Sequence, residues 1–326
     1  MSEDLKIASV FPGQGSQSVG MGRELFDNFE VYKETLEEAS EAVSVDFKKL
    51  CFKGPSEDLN STPNTQPAIV AASVGAFKVL ETECGFKPSL SAGHSVGEYS
   101  ALVASGVIDF SDAIKAVRLR GKSMQEAVPK GEGGMLALIG PEDEQAKEFC
   151  KWVESKNTDF VLEAANYNCP GQLVLSGNQK ALDWAKENLA EYEFNPKPKK
   201  VRLIPLKVSA PFHSRLMKPA ELVMKDYLGG LKFSKPSFEV VQNIDAKSSP
   251  DPEKIKENLV KQVSGSVLWS KTIAGFKDNT SAINAYIEVG SGNTLTGLIK
   301  KIDTSEIKIF NTSQLESLKE FVKFYS

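Results

Sequence analysis

The sequence predicts an α/β protein in which a large subdomain is interrupted by a small ferredoxin-like one, and three observations lead there. Short apolar runs of strand character alternate with helical stripes from residue 6 to residue 310. The run 88–101, PSLSAGHSVGEYSA, reads as a buried strand, a tight turn at Gly93-His94-Ser95-Val96-Gly97 and the first turns of a helix. Residues 131–206 follow a β-α-β-β-α-β order, a unit complete in itself. The expected boundaries are therefore 1–130 with 207–326 for the large subdomain and 131–206 for the insert.

Composition limits what such a protein can be. At 326 residues, 41% apolar and 25% charged, the chain can bury a large core. Residues 1–6 are acidic and lead into a strand instead of a secretory leader, and no apolar run approaches the ~20 residues that span a bilayer. The expectation is a soluble, cytoplasmic protein. Cys51, Cys84, Cys150 and Cys169 lie far apart with no C-x-x-C, which suits reduced thiols better than disulfides or zinc. With only two histidines in the chain, no metal site is expected. A net charge of −4 argues against nucleic-acid binding, so an anionic partner would have to be met by a local basic patch.

In chain order, residues 6–11 (KIASVF) form a short buried strand that opens into Pro12-Gly13-Gln14-Gly15-Ser16-Gln17. This loop fails both phosphate-binding templates: G-x-x-x-x-G-K-[ST] is absent, and Ser18 stands where G-x-G-x-x-G needs its third glycine. Its better use is to present backbone N–H groups to an oxyanion. Residues 24–42 read as a helix with Leu25, Phe29, Tyr32, Leu36 and Ala39 inward, and 53–64 as an irregular polar stretch. Thr65-Gln66-Pro67 opens a helix over 68–80, where Gln66 either faces a site or caps the helix at the surface.

The turn at 93–97 has the form of a nucleophile elbow. A serine at the apex of a strand-to-helix turn needs tiny residues two places before and after it, because a Cβ there would collide with the facing backbone; Gly93 and Gly97 supply them. The turn also aims the N–H of Val96, with the positive end of the helix behind it, at whatever oxygen the chemistry of Ser95 creates. The plainer alternative is a glycine-rich loop that happens to contain a serine.

Residues 111–128 form the next helix, with Ser111 as N-cap and a stripe of Ile114, Val117, Gly121, Met124 and Val128. Arg120 falls roughly 70° from the centre of that stripe, where an arginine reaches solvent, meets a buried carboxylate or faces a substrate. The insert supplies strands at 135–139, 160–166, 172–175 and 201–206 and helices at 141–155 and 178–189. Lys197, Lys199, Lys200 and Arg202 are its most concentrated positive charge, either a solvated loop or an anion-docking rim.

After the insert, the loop 207–214 brings in His213 before a helix that begins near 216. An acyl-transfer serine needs a general base that titrates near neutrality, and only His94 and His213 exist. His94 adjoins Ser95 inside the turn and should point away, which leaves His213. The remainder reads as a strand at 238–242, a helix at 251–263 carrying Gln262, a helix at 270–276, a strand at 285–289, the loop Gly290-Ser291-Gly292, a helix at 294–302 and a strand at 307–310.

Seven blocks together carry a resemblance that the pentapeptide alone could not: FPGQGSQ at 11–17, TQPA at 65–68, GHSVGEYSAL at 93–102, RGKSMQEAVP at 120–129, NYNCPGQLV at 166–174, APFHS at 210–214 and EVGSGNTLTGLIK at 288–300. In this order and over nearly the whole chain they resemble the malonyl-CoA:acyl carrier protein transacylases of the separate-enzyme bacterial type. The resemblance implies an α/β-hydrolase-like large subdomain, a ferredoxin-like small one and a site between them. It implies Ser95 as nucleophile, His213 as base, the N–H groups of Gln14 and Val96 as oxyanion hole, and the main-chain carbonyl of Gln262 as the group that orients the histidine. It implies that Arg120 pairs with the malonyl carboxylate, that Gln66 and Met124 lie at the acyl pocket, and that Asn166, Asn168 and Arg202 look toward the phosphopantetheine arm. Malonyl-CoA and holo acyl carrier protein are the implied partners, no cofactor is required, and a monomer is expected. The segment KQVSGSVLW keeps the Gln262 and Trp269 of the family pattern but departs from it between them. A serine hydrolase would share the elbow and the histidine but would usually add an acidic triad member and would not need Arg120; a non-catalytic scaffold would need none of them.

Overall fold

Two sheets organise the chain, whose computed structural model describes residues 5–208, 210–278 and 283–326. Residues 1–4 of the acidic start and Ser209 of the loop 207–214 lie outside the described residues. Numbered along the chain, the strands of the first sheet are β1 (Ile7–Phe11), β2 (Leu90–Gly93), β7 (Glu239–Val241), β8 (Ala285–Glu288) and β9 (Lys308–Asn311). Between them in sequence come β3 (Gly133–Ile139), β4 (Leu162–Cys169), β5 (Gln172–Asn178) and β6 (Arg202–Pro205).

The first sheet is parallel throughout, in the order β7-β2-β1-β8-β9. Every residue of β1, β2 and β8 is buried, as expected of parallel strands covered by helices on both faces. Ile7 and Phe11 pack toward the helices Glu30–Val43, Thr62–Cys84 and Phe110–Glu126, whereas Ala8 and Val10 pack toward Trp269–Asp278 and Thr294–Ile302. The second sheet is antiparallel, in the order β4-β5-β3-β6. Leu136, Leu138, Leu173 and Leu175 bury one of its faces against the helices Asp143–Glu154 and Gln179–Glu187. Both helices start on side-chain caps: a reciprocal Glu142–Gln145 pair for the first, and Asn178 accepting from Ala181 N at 3.1 Å for the second.

Departures from the sequence expectations have local causes. The helix expected over 24–42 is two, Arg23–Asn28 and Glu30–Val43, because Phe29 adopts an extended conformation between them. The stretch 53–64 is not irregular: Ser56–Asn60 is helical, and the long helix already begins at Thr62, with Pro63 where a missing N–H costs no hydrogen bond. Pro67, one turn on, cannot donate to the carbonyl of Pro63, and Arg118 Nη1 donates to it instead at 3.1 Å. Gln66 is consequently inside a buried helix and not a surface cap. Asp109, not Ser111, caps Phe110–Glu126, its carboxylate accepting from the N–H groups of Ser111 and Asp112. Two further helices were not anticipated, Phe47–Lys53 and Leu315–Tyr325; the first is two turns long and buries only Phe47, Leu50 and Cys51, and the second buries only Leu318 and Phe321. Among the described residues no helix is long and apolar enough to cross a membrane.

Candidate active site

The elbow follows β2. A Cβ on Gly93 would lie 1.9 Å from the carbonyl carbon of Gly97, and one on Gly97 would lie 2.2 Å from the carbonyl oxygen of Phe11, so backbone meets backbone on both sides of Ser95. Ser95 itself is held at φ 52°, a left-handed conformation that costs an ordinary residue roughly 1–2 kcal/mol. Asn243, just past β7, holds the apex: its Oδ1 accepts the Ser95 N–H at 2.7 Å and its Nδ2 donates to the Gly93 carbonyl at 2.6 Å.

His213 also has a left-handed backbone, φ 58°. Its Nε2 lies 2.7 Å from Ser95 Oγ, and its Nδ1 lies 2.9 Å from the carbonyl oxygen of Gln262 and 3.1 Å from that of Gly265. Carbonyls only accept, so Nδ1 carries the proton and Nε2 offers a lone pair to the serine hydroxyl. Burial, and next the positive charge of Arg120, push the imidazole down to about 3, which keeps it neutral at pH 7. His94 points the other way, its Nε2 2.9 Å from Asn168 Oδ1 and its ring 5.6 Å from that of Trp269.

Arg120 is 1% exposed. Its Nη1 donates to Gln66 Oε1 at 2.8 Å; its Nη2 donates to Gln262 Oε1 at 2.8 Å and to Ser95 Oγ at 3.2 Å. Its Nε has no partner among the described residues. The same Gln66 places its Nε2 3.9 Å from Met124 Sδ, so the acyl-pocket candidates form one connected group. The loop after β1 lies directly on the elbow: a Cβ on Gly13 would be 2.4 Å from the His94 carbonyl oxygen. Among the described residues, no acceptor pairs with the N–H of Gln14 or of Val96.

A cavity of about 260 Å³ joins these groups, lined by Gln14, Gln66, Ser95, Arg120, Met124, Asn166, Asn168 and His213 together with apolar side chains such as Met135, Val174 and Phe212. Gln262 and Val96 are buried beneath it. Arg202 is exposed on β6 opposite Ile139 and is not among the lining residues.

Two participants escaped the sequence reading. Glu98, in the first turn of the elbow helix Gly97–Ala104, is fully buried, and Asn243 clamps the apex. The signal for Glu98 was a lone charge in an otherwise apolar and small helix, GEYSALVA. Burial holds its carboxyl above the usual carboxylate range, and hydrogen bonds from Asn243, Gln262 and Gln242 and the charge of Arg120 offset only part of that rise.

The arrangement supplies a serine with a neutral base, two unpaired backbone donors and a buried cation, all at one cavity. A family model for the acyl transferase domain matches residues 9–308. The chain is 43% identical over 297 residues to the malonyl CoA-acyl carrier protein transacylase of Salmonella typhimurium, covering 91% of this chain and 93% of that one. Its fold is similar to the acyl-carrier-protein S-malonyltransferase of Burkholderia pseudomallei, at a TM-score of 0.90, 41% identity and coverage of 98% and 100%. A malonyl-transacylase solved in complex with a type II PKS acyl-carrier protein is similar to the same degree, with a TM-score of 0.90, 40% identity and coverage of 98% and 99%.

Proposed function

This chain belongs to the acyl transferase domain family, and from that premise we propose that it is a malonyl-CoA:acyl carrier protein transacylase, moving malonyl from CoA to the phosphopantetheine thiol of holo acyl carrier protein for fatty acid or polyketide chain extension. The observation that carries the reading is Arg120: a fully buried guanidinium within 3.2 Å of the nucleophile's oxygen suits an acyl group that ends in a free carboxylate.

In this reading Ser95 Oγ attacks the thioester carbonyl as His213 Nε2 takes its proton, and the oxyanion is held by the N–H groups of Gln14 and Val96. The C–S bond breaks, CoA leaves as thiol with the proton from His213, and malonyl remains as an ester on Ser95. The pantetheine thiol then gives its proton to His213 and attacks the ester, and Ser95 Oγ departs with that proton. Thioester is exchanged for thioester, so no cofactor enters. The carbonyls of Gln262 and Gly265 do the orienting that a triad carboxylate does elsewhere, and this favours transfer chemistry over a Ser-His-Asp hydrolase. A malonyl carboxylate on Arg120 would also cancel the charge that depresses His213, so the base strengthens when the substrate that needs it is bound.

We further divide the chain into an α/β-hydrolase-like subdomain (1–130 and 207–326) and a ferredoxin-like one (131–206), a division supported by the parallel and antiparallel sheets. Asn166 and Asn168 are assigned to the pantetheine arm from their place on the cavity wall, and Arg202 to its outer approach. A monomer in a reducing cytoplasm suits the four free cysteines.

Incubation with malonyl-CoA followed by mass spectrometry should show one malonyl group on Ser95, discharged by holo acyl carrier protein as malonyl-carrier. An unlabelled serine, or release of free malonate as fast without the carrier as with it, would overturn the assignment.

A further inference from the structure

A buried carboxylate lies directly under the elbow and touches neither the histidine nor the cavity. Glu98 Oε1 accepts from Gln242 Nε2 at 3.0 Å, and Oε2 accepts from the Asn243 N–H at 2.8 Å and from Gln262 Nε2 at 3.0 Å. Every neighbour bonded to its two oxygens is a donor, an arrangement that suits the ionised form alone. Among the described residues, the buried cation whose charge acts on this carboxyl is Arg120.

The two charges are joined through one amide. Gln262 Nε2 donates to Glu98 Oε2 and to the Ser95 carbonyl (2.9 Å), so its Oε1 faces the opposite way and accepts from Arg120 Nη2 at 2.8 Å. The alternative orientation of this amide would set its NH₂ against a guanidinium and its oxygen against a carboxylate, each pairing repulsive. We propose that Glu98 is a positioning residue for acyl-group selection: by fixing the orientation of the Gln262 amide it aims the Arg120 guanidinium, and through Arg120 it sets the preference for an acyl group bearing a carboxylate.

The geometry explains why the anion is one residue removed. A carboxylate placed directly on Arg120 would compete with the substrate's own carboxylate for the same N–H groups. An amide oxygen orients the guanidinium without neutralising it. Replacing Glu98 by glutamine keeps the shape but leaves one acceptor where there were two: the new NH₂ meets Gln242 Nε2 or, turned round, the Asn243 N–H and Gln262 Nε2. A donor faces a donor either way, the charge that fixes the Gln262 amide is gone, and Nη2 loses a firmly held acceptor. Charge acts in the opposite sense, since losing an anion makes the site more attractive to malonate. Aim and attraction therefore separate: the maximal acylation rate falls while KM for malonyl-CoA does not rise.

The inference rests on the malonyl reading, so the experiment begins with wild type and Arg120→Ala. A wild type with no preference for malonyl-CoA over acetyl-CoA would fail that reading, whatever Glu98 does. With the preference established, Ser95 acylation at saturating malonyl-CoA and acetyl-CoA is followed by mass spectrometry in Glu98→Gln. The expected result is a malonyl rate reduced about tenfold or more, an acetyl rate reduced much less, KM for malonyl-CoA unchanged or lower, and labelling that still reaches one group per chain. Equal losses on both substrates would make Glu98 a structural acid only and overturn the proposal. If Glu98→Gln does not fold, Glu98→Asp keeps the charge but withdraws it from Gln262; a smaller loss of the malonyl-to-acetyl ratio is expected there, and an unchanged ratio would overturn it equally.

Discussion

The parallel sheet meets the cavity with its strand ends, the antiparallel sheet with its flat face, and the residues that each contributes differ accordingly. Beyond β1 and β2 come Gly13-Gln14 and Ser95-Val96, and beyond β7 comes Asn243: Gln14 and Val96 present backbone N–H groups, Ser95 its Oγ, and Asn243 clamps the backbone of the elbow. These are the places where a sheet leaves N–H groups unpaired and helices begin. The antiparallel sheet instead contributes side chains two apart along its strands: Met135 and Ala137 on β3, Asn166 and Asn168 on β4, Gln172 and Val174 on β5. Strand ends hold reacting atoms in place; a sheet face sets the shape and wetness of a wall. Substitutions on the first side should therefore act on the rate of chemistry, and those on the second on binding.

The largest effect is expected at His213. His213→Ala should lower acyl transfer by the ~10²–10⁴ typical of losing a general base, or more, with the fold intact. The same variant has a stability signature. The folded imidazole titrates at about 3 and the unfolded one near 6.5, so as pH falls below about 6.5 the unfolded state takes up the proton first and stability is lost, down to about pH 3. His94, also depressed by burial, adds to this in both proteins and cancels in the comparison. The melting temperature of wild type should thus fall more steeply on acidification than that of His213→Ala; parallel curves would mean that His213 is not held neutral by its surroundings.

Arg120 sharpens the comparison, because it stands on the catalytic side yet is assigned to binding. Malonyl differs from acetyl by one carboxylate, and burying that charge is unfavourable unless a cation meets it. Arg120→Ala should cost malonyl transfer about 10²-fold or more in kcat/KM while acetyl-CoA becomes relatively better, and Arg120→Lys should restore only part, since an ammonium lacks the two-donor fork. Equal losses for both acyl groups would leave Arg120 a structural arginine.

The difference between the sheets also decides what could be read from the sequence. Gly93 and Gly97 announced the elbow because a backbone that close to other backbone tolerates no other residue, and the β-α-β-β-α-β order announced the second sheet. Arg120 and Gln66 stayed ambiguous because helical periodicity reports only a side chain's angle to the core; here the buried face of a helix doubles as the floor of a site. Glu98 and Asn243 were missed for a related reason. Their partners are backbone groups and amides brought together from three separate segments, the elbow, Gln242-Asn243 and Gln262, and no spacing in the sequence encodes that meeting. The cap assigned to Ser111 failed by two residues because Asp109 already accepts from the N–H groups of Ser111 and Asp112, which puts Ser111 inside the first turn.

The smallest effect belongs to the insert, and it tests whether that side of the molecule handles binding alone. Acyl carrier proteins are acidic and this chain carries a net charge of −4, so docking needs a local basic surface near the cavity mouth. Lys197, Lys199, Lys200 and Arg202 are all exposed and precede or begin β6, a strand of the wall sheet. Arg215, on the other approach, is already committed: Nη2 lies 2.7 Å from Glu154 Oε1 and Nη1 pairs with Glu163, which reduces the charge it can offer a partner. Reversing the charge of Lys199 and Lys200 together should raise KM for the carrier protein several-fold, with the difference shrinking as salt screens the encounter. Formation of the malonyl-serine from malonyl-CoA should stay within about twofold of wild type, since exposed charges away from the reacting atoms act on encounter more than on chemistry. A carrier KM that does not move would place docking on other lysines such as Lys300 and Lys301, and a matching loss in serine acylation would break the division between a side that reacts and a side that binds.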